Sequence, residues 1–169
     1  MFLVTNKPLL RGLTLLLSAA PCIMPAYGLD SDKDQNVEFA SSGNSTSRVD
    51  GNIRIITIEG EVLVTQGTLR ITGDRAVLEQ SLNSDAINRI TITGTPATYQ
   101  QQLDANGDLV RGDSATILYY TEEEPVIELV GAANLQQHNN VLSCAAVKYF
   151  TDSGLTDYTG PCNGVLSRQ

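Results

Sequence analysis

The chain has no tryptophan, three phenylalanines and one histidine in 169 residues, and aromatic residues make up only 5% of it. So few rings exclude the stacking platforms on which single-stranded nucleic acids lie. The lone histidine, His138, sits in a polar turn, and the three cysteines are widely spaced, so no cluster has zinc-ligand spacing. Basic residues are also scarce, 11 Lys and Arg against 19 Asp and Glu. Such an acidic surface repels phosphate backbones and anionic membranes, which excludes nucleic acid as a partner. No segment carries an apolar period of 3.6 over a useful length, so helices are not expected. Catalytic groupings are missing as well, and no cofactor motif is present. Asp74 and Asp113 each follow a glycine at matching places. A bend-stabilising role, with each carboxylate accepting from nearby backbone N–H groups, suits them better than acid–base work.

What is present begins with a leader. Residues 1–28 carry Lys7, Arg11, an apolar run over Leu13–Ala20 and the small-x-small ending Ala26-Tyr27-Gly28. This predicts a signal peptide cut after Gly28 and export of the remainder. The apolar run is short for a membrane anchor, and Pro21 and Ala20 fit poorly with lipid attachment at Cys22. The mature chain then holds nine basic and 19 acidic residues, a net charge of −10.

Residues 29–36 are polar and acidic and are expected to be flexible. From Val37 to Phe150 apolar residues recur at every second position, the mark of half-buried strands. The stretch Ile55–Leu78 reads as strand, Gly60, strand, Gln66-Gly67 turn, strand, Gly73, strand. Similar units follow at Ile90–Tyr120 and Ile127–Phe150, with Gly60, Gly94 and Gly131 spaced by 34 and 37 residues. Glycine inside a strand marks a bulge or bend. Bends at one level in every unit predict a V-shaped cross-section and a stack in which each unit buries its apolar face on its neighbours. Glu79–Asn88 reads as a connection. The rows Ile56, Ile58, Val62, Val64, Leu69, Ile71, Leu129 and Leu135 are expected to face inward, as a dry core or as the wall of an apolar groove. Residues 151–169 are Gly-rich and polar, with little order expected. Cys144 and Cys162 are an even pair in an exported chain and suggest a disulfide, worth about 2–4 kcal/mol; two free thiols are the alternative. An open stack leaves two exposed edges, and no proline or lysine plainly blocks the first edge strand, which invites addition of another sheet.

Three passages, GEVLVTQGTLRITGDRAVL, GTPATYQQQLDANG and IELVGAANLQQ, occur in that order. Together they resemble the LptA/OstA family of periplasmic lipopolysaccharide-transport proteins, over roughly Asp34 to Phe150. The resemblance implies an all-β fold, an open, twisted β-jelly roll of stacked antiparallel bent strands over residues 37–150. It implies a non-enzymatic periplasmic bridge that shields the lipid A acyl chains of lipopolysaccharide between the two membranes. It also implies partners: an LptC-type inner-membrane component at the N-terminal edge, an LptD-type translocon at the C-terminal edge, and further copies head to tail. By alignment, Val37, Val49 and Tyr99 join Ile58, Val62, Val64, Leu69 and Leu129 as candidate lipid contacts. Tyr99 is out of phase with Ile90 and Ile92, so its place inside requires the Gly94–Pro96 bend to shift the register. The alternative function is an adaptor that joins envelope proteins through its sheet edges and carries no lipid. The ending GPCNGVLSRQ departs from the lysine-rich tail common in the family.

Overall fold

The computed structural model describes residues 30–103, 107–121 and 124–167. The leader expected over residues 1–28 lies outside them. A short 3-10 turn, Asp30–Asp32, precedes ten strands. These are β1 (Glu38–Ala40), β2 (Ser45–Asp50), β3 (Ile53–Gln66), β4 (Leu69–Ser81), β5 (Ile87–Gln102), β6 (Leu109–Tyr120), β7 (Val126–Gln137), β8 (Asn140–Phe150), β9 (Thr156–Thr159) and β10 (Asn163–Val165). They form one sheet in which β3 to β8 pair antiparallel with their neighbours in chain order. Local hairpins suffice for that order, which is why a chain with turns such as Gln66-Gly67 folds this way.

The expected bends are present, and they line up. Register breaks fall between Glu59 and Val62, Thr72 and Arg75, Thr93 and Ala97, Asp113 and Thr116, and Val130 and Ala133. The breaks divide the sheet into two walls that fold over one another. One wall carries β1 and β10, which pair with Leu63–Thr65 and Val141–Ser143. The other carries β2 and β9, which pair with Ile53–Ile58 and Ala146–Tyr149. Thus β1–β2 and β9–β10 are each a single bent strand interrupted at the bend. Gly60 takes a φ of +82° there, and a Cβ would approach the Gly43 backbone N to 2.7 Å, so the close crossing of strands requires glycine.

The bend also changes the inward phase. In β4, β5, β6 and β8 the buried residues switch parity across it, from Ile92 to Ala97 in β5 for example. Tyr99 therefore faces inward beside Ile71 and Gly112, as the shifted register requires. Asp74 accepts from Thr95 Oγ1 at 3.2 Å and Asp113 from Asn134 Nδ2 at 2.8 Å. Their partners at the bend are thus side chains, where the sequence predicts backbone N–H groups.

Two segments differ from expectation. Asp32, in the stretch expected to be flexible, is only 5% exposed. Within the C-terminal segment, β9 and β10 pair with β8, and Cys162 is joined to Cys144 with Cα atoms 4.2 Å apart. The connection expected over Glu79–Asn88 is shorter too, because β4 runs to Ser81 and β5 begins at Ile87.

Candidate functional site

The space between the walls is the site the topology builds. Alternation delivers one row of aliphatic side chains from each strand into it. Ile58, Val62, Val64, Leu69, Tyr99 and Leu129 are all buried there to 2% exposure or less. Val37 is half-buried and packs against this cluster from the N-terminal side. Val49 stands apart. Its pairing with Arg54 places it on the same face as Ile56 and Ile58, yet β2 is the outermost strand and Val49 is 61% exposed. It marks the uncovered end of the row. At the other end, a cleft of about 410 Å³ opens between the walls, lined by Leu135, Leu142, Tyr158 and Leu166 among others. Val165 and Leu166 beside it are exposed. The middle of the interior is packed: the buried side chains of β3 to β8 form one hydrophobic cluster.

Polar groups gather where the two walls meet at their free margins. Tyr119, on the β2–β9 wall, donates to Gln66 Oε1 at 2.8 Å on the opposite wall. Tyr99 donates to Gln101 Oε1, also at 2.8 Å. Gln101 Nε2 in turn donates to Asp32 Oδ2 at 3.0 Å. The Asp32 carboxylate accepts two more bonds, from Thr68 N at 2.8 Å and Thr68 Oγ1 at 2.6 Å. Gln66 Nε2 donates to the backbone oxygens of Lys33 and Gln35. One residue beyond Asp32, Lys33 pairs with Asp152 at 3.2 Å, in the loop between β8 and β9. The segment 30–36 therefore ties into one wall through Asp32 and reaches the other through Lys33. It lies as a strap across the seam.

Burial governs the chemistry of the tyrosines. It drives the Tyr99 hydroxyl well above the usual phenol range, with the nearby Tyr149, Tyr119 and Asp32 adding to the shift. Burial likewise raises Tyr119, with Asp32 and Asp152 adding to it, and pushes Tyr149 up to about 12. All three hydroxyls are neutral at physiological pH. Sequence reasoning missed Asp32, Gln66, Gln101, Tyr119 and Tyr149. The inward phase of Gln66, Tyr119 and Tyr149 was a signal for their burial but not for their partners.

The sequence and the fold are matched by known proteins. Residues 43–155 match the family described as LptA/(LptD N-terminal domain) LPS transport protein. The chain is 29% identical over 148 residues to lipopolysaccharide export system protein LptH of Pseudomonas aeruginosa, across 88% of this chain and 79% of that one. It is 32% identical over 145 residues to lipopolysaccharide export system protein LptA of Escherichia coli, across 86% and 75% of the two chains. The crystal structure of Pseudomonas aeruginosa LptH, the LptA-homologous periplasmic component of the lipopolysaccharide transport device, is alike in fold. It superposes with a TM-score of 0.69 over 82% of this chain and 99% of that one, at 21% identity. On the matched span and the relatives together, the chain belongs to the LptA/(LptD N-terminal domain) lipopolysaccharide-transport family.

Proposed function

We propose that this protein is a non-enzymatic periplasmic bridge that binds lipopolysaccharide and shelters its lipid A acyl chains on the way from inner to outer membrane. The observation that carries the reading is one aliphatic row, contributed by six consecutive bent strands, running between two sheet edges. Edge β1–β2 leaves backbone groups open to pairing, and every residue of both strands is exposed. Edge β9–β10 presents Tyr158, Val165 and Leu166. In this reading the first edge meets an LptC-type inner-membrane component and the second an LptD-type translocon, with further copies inserted head to tail. The relatives' names and the exported, acidic composition support it.

Acyl chains enter only if the walls part, because the middle of the interior is filled. Each buried methylene contributes about 0.8 kcal/mol. A chain of a dozen carbons therefore gains roughly 10 kcal/mol, which offsets the wall-to-wall contacts it replaces. No nucleotide motif is present in the sequence, so directional drive comes from elsewhere.

A packed interior also favours a second reading, an adaptor that joins its partners by edge pairing and carries no lipid. Photo-crosslinking in living cells separates the two. A photoreactive residue replaces Tyr99 in one strain and the exposed turn residue Asn139 in another. Lipopolysaccharide adducts at Tyr99 and none at Asn139 are expected. Silence at Tyr99, and then at Val37 and Val49, in a folded and assembled protein would leave the adaptor.

A further inference from the structure

The seam layer contains a group that the packing leaves unused. Tyr119, Ile127 and Tyr149 form one cross-strand row on the β2–β9 wall, one position short of the strand ends at the seam. The hydroxyl of Tyr119 is satisfied by Gln66 and that of Tyr99 by Gln101. The Tyr149 hydroxyl is not. Among the described residues it is the buried side-chain oxygen without a hydrogen-bond partner, and its side chain is fully buried, with its ring centroid 6.5 Å from that of Tyr99. A buried, unpaired hydroxyl is destabilising, and phenylalanine would fill the same volume without that penalty. The position also lies at a boundary. Toward the bend the same wall offers Leu129, Ile117 and Val147; toward the seam stand Gln66, Gln101 and the strap carboxylate of Asp32.

We propose that the Tyr149 hydroxyl is a ligand contact, donating to the ester or amide carbonyl at the root of an acyl chain. The methylenes would then run toward the bend, and the polar head would lie at the seam in the place the Asp32 carboxylate occupies. A carbonyl is the acceptor an amphiphile carries at the junction of tail and head, and a tyrosine hydroxyl in an apolar wall recognises it at little cost in ordering. The inference rests on the lipid-carrier reading. It adds what the interior recognises: the acyl linkage as well as the apolar tail.

The test compares Tyr149→Phe with the unaltered protein, native disulfide intact, in thermal melting and in binding of three lipids. These are lipid A, a diacyl ester phospholipid and its dialkyl ether counterpart of equal chain length. The unaltered protein should bind the ester lipid about five- to tenfold more tightly than the ether. Tyr149→Phe should erase that preference, weaken lipid A by a similar factor, and melt at a higher temperature. Weaker binding of both ester-linked lipids, lipid A and the phospholipid, with the ether lipid unchanged, supports recognition of the linkage whatever the head group; loss confined to lipid A leaves the ester preference in place and counts against it. An ester preference that persists in Tyr149→Phe, or a variant that melts lower, overturns the proposal. Binding without any ester preference in the unaltered protein overturns it too and leaves the carrier reading standing. Failure to bind any of the three lipids removes the carrier reading and this inference together.

Discussion

Replacing Asp32 by alanine should unfasten the strap and destabilise the whole molecule. The carboxylate accepts bonds from Thr68 N, Thr68 Oγ1 and Gln101 Nε2 at 2.6–3.0 Å. Hydrogen bonds to a charged acceptor contribute about 1.5–3 kcal/mol each. Desolvating the carboxylate opposes them, and water can reach the vacated donors, so a net loss of about 2–3 kcal/mol is expected. For a chain of this size each kcal/mol moves the melting temperature by a few degrees, giving a fall of roughly 6–12 °C. The neighbouring acid Asp34 is exposed, so Asp34→Ala serves as the control for net charge and should change stability by no more than about 0.5 kcal/mol. Calorimetry gives the stability, and amide exchange at Thr68 reports the local release. In Asp32→Ala that amide should exchange at least tenfold faster than in Asp34→Ala. Equal melting temperatures and equal Thr68 exchange in the two variants would refute the claim that Asp32 fastens the strap.

Other outcomes follow from the same contacts. Gly67 has a φ of +59° and a Cβ there would collide with the Asp32 carboxylate, so Gly67→Val should cost more than Asp32→Ala, read as a lower denaturant midpoint. Replacing Cys144 and Cys162 together by serine opens a link spanning 18 residues and should cost about 2–4 kcal/mol. The amides of Asn163–Val165 should then exchange first, since β10 keeps only its short pairing to β8. The buried tyrosines make stability fall in alkali. Their folded pKa values lie above the unfolded value near 10, up to about 12 for Tyr149. Their contribution is therefore complete below about pH 10 and is lost as pH rises through the folded values. Denaturant midpoints compared near pH 9 and near pH 11 should show the drop, with tyrosinate absorbance appearing as the protein unfolds.

Alternation and glycine spacing made the bent sheet readable, because each strand from β3 to β8 buries one face and the bends recur at one level. The inward aliphatics Ile58, Val62, Val64, Leu69 and Leu129 were legible for that reason. Tyr99 was harder, since its phase depends on the bulge between Thr93 and Ala97. The strap was not legible. An acidic, polar octet looks like a solvated leader, and the partners that bury Asp32 lie 36 and 69 residues away at Thr68 and Gln101. The edge strand β9–β10 was missed for a related reason: it is largely exposed, so no alternating pattern is imposed on it. Polar seam residues such as Gln66 and Tyr119 sit in inward phase, but their pairing joins opposite walls and no local pattern encodes it.

In the proposed function, lipid lies between the walls and pushes them apart. Spin labels attached at Asn139→Cys, in the turn between β7 and β8, and Leu155→Cys, beside β9 on the other wall, bracket the seam at one end of the stack. The distance between them, measured with and without bound lipopolysaccharide, tests the claim directly. The loaded protein should show a longer distance, which narrows again when the lipid is withdrawn. An unchanged distance with lipopolysaccharide demonstrably bound would place the lipid outside the walls and contradict that function.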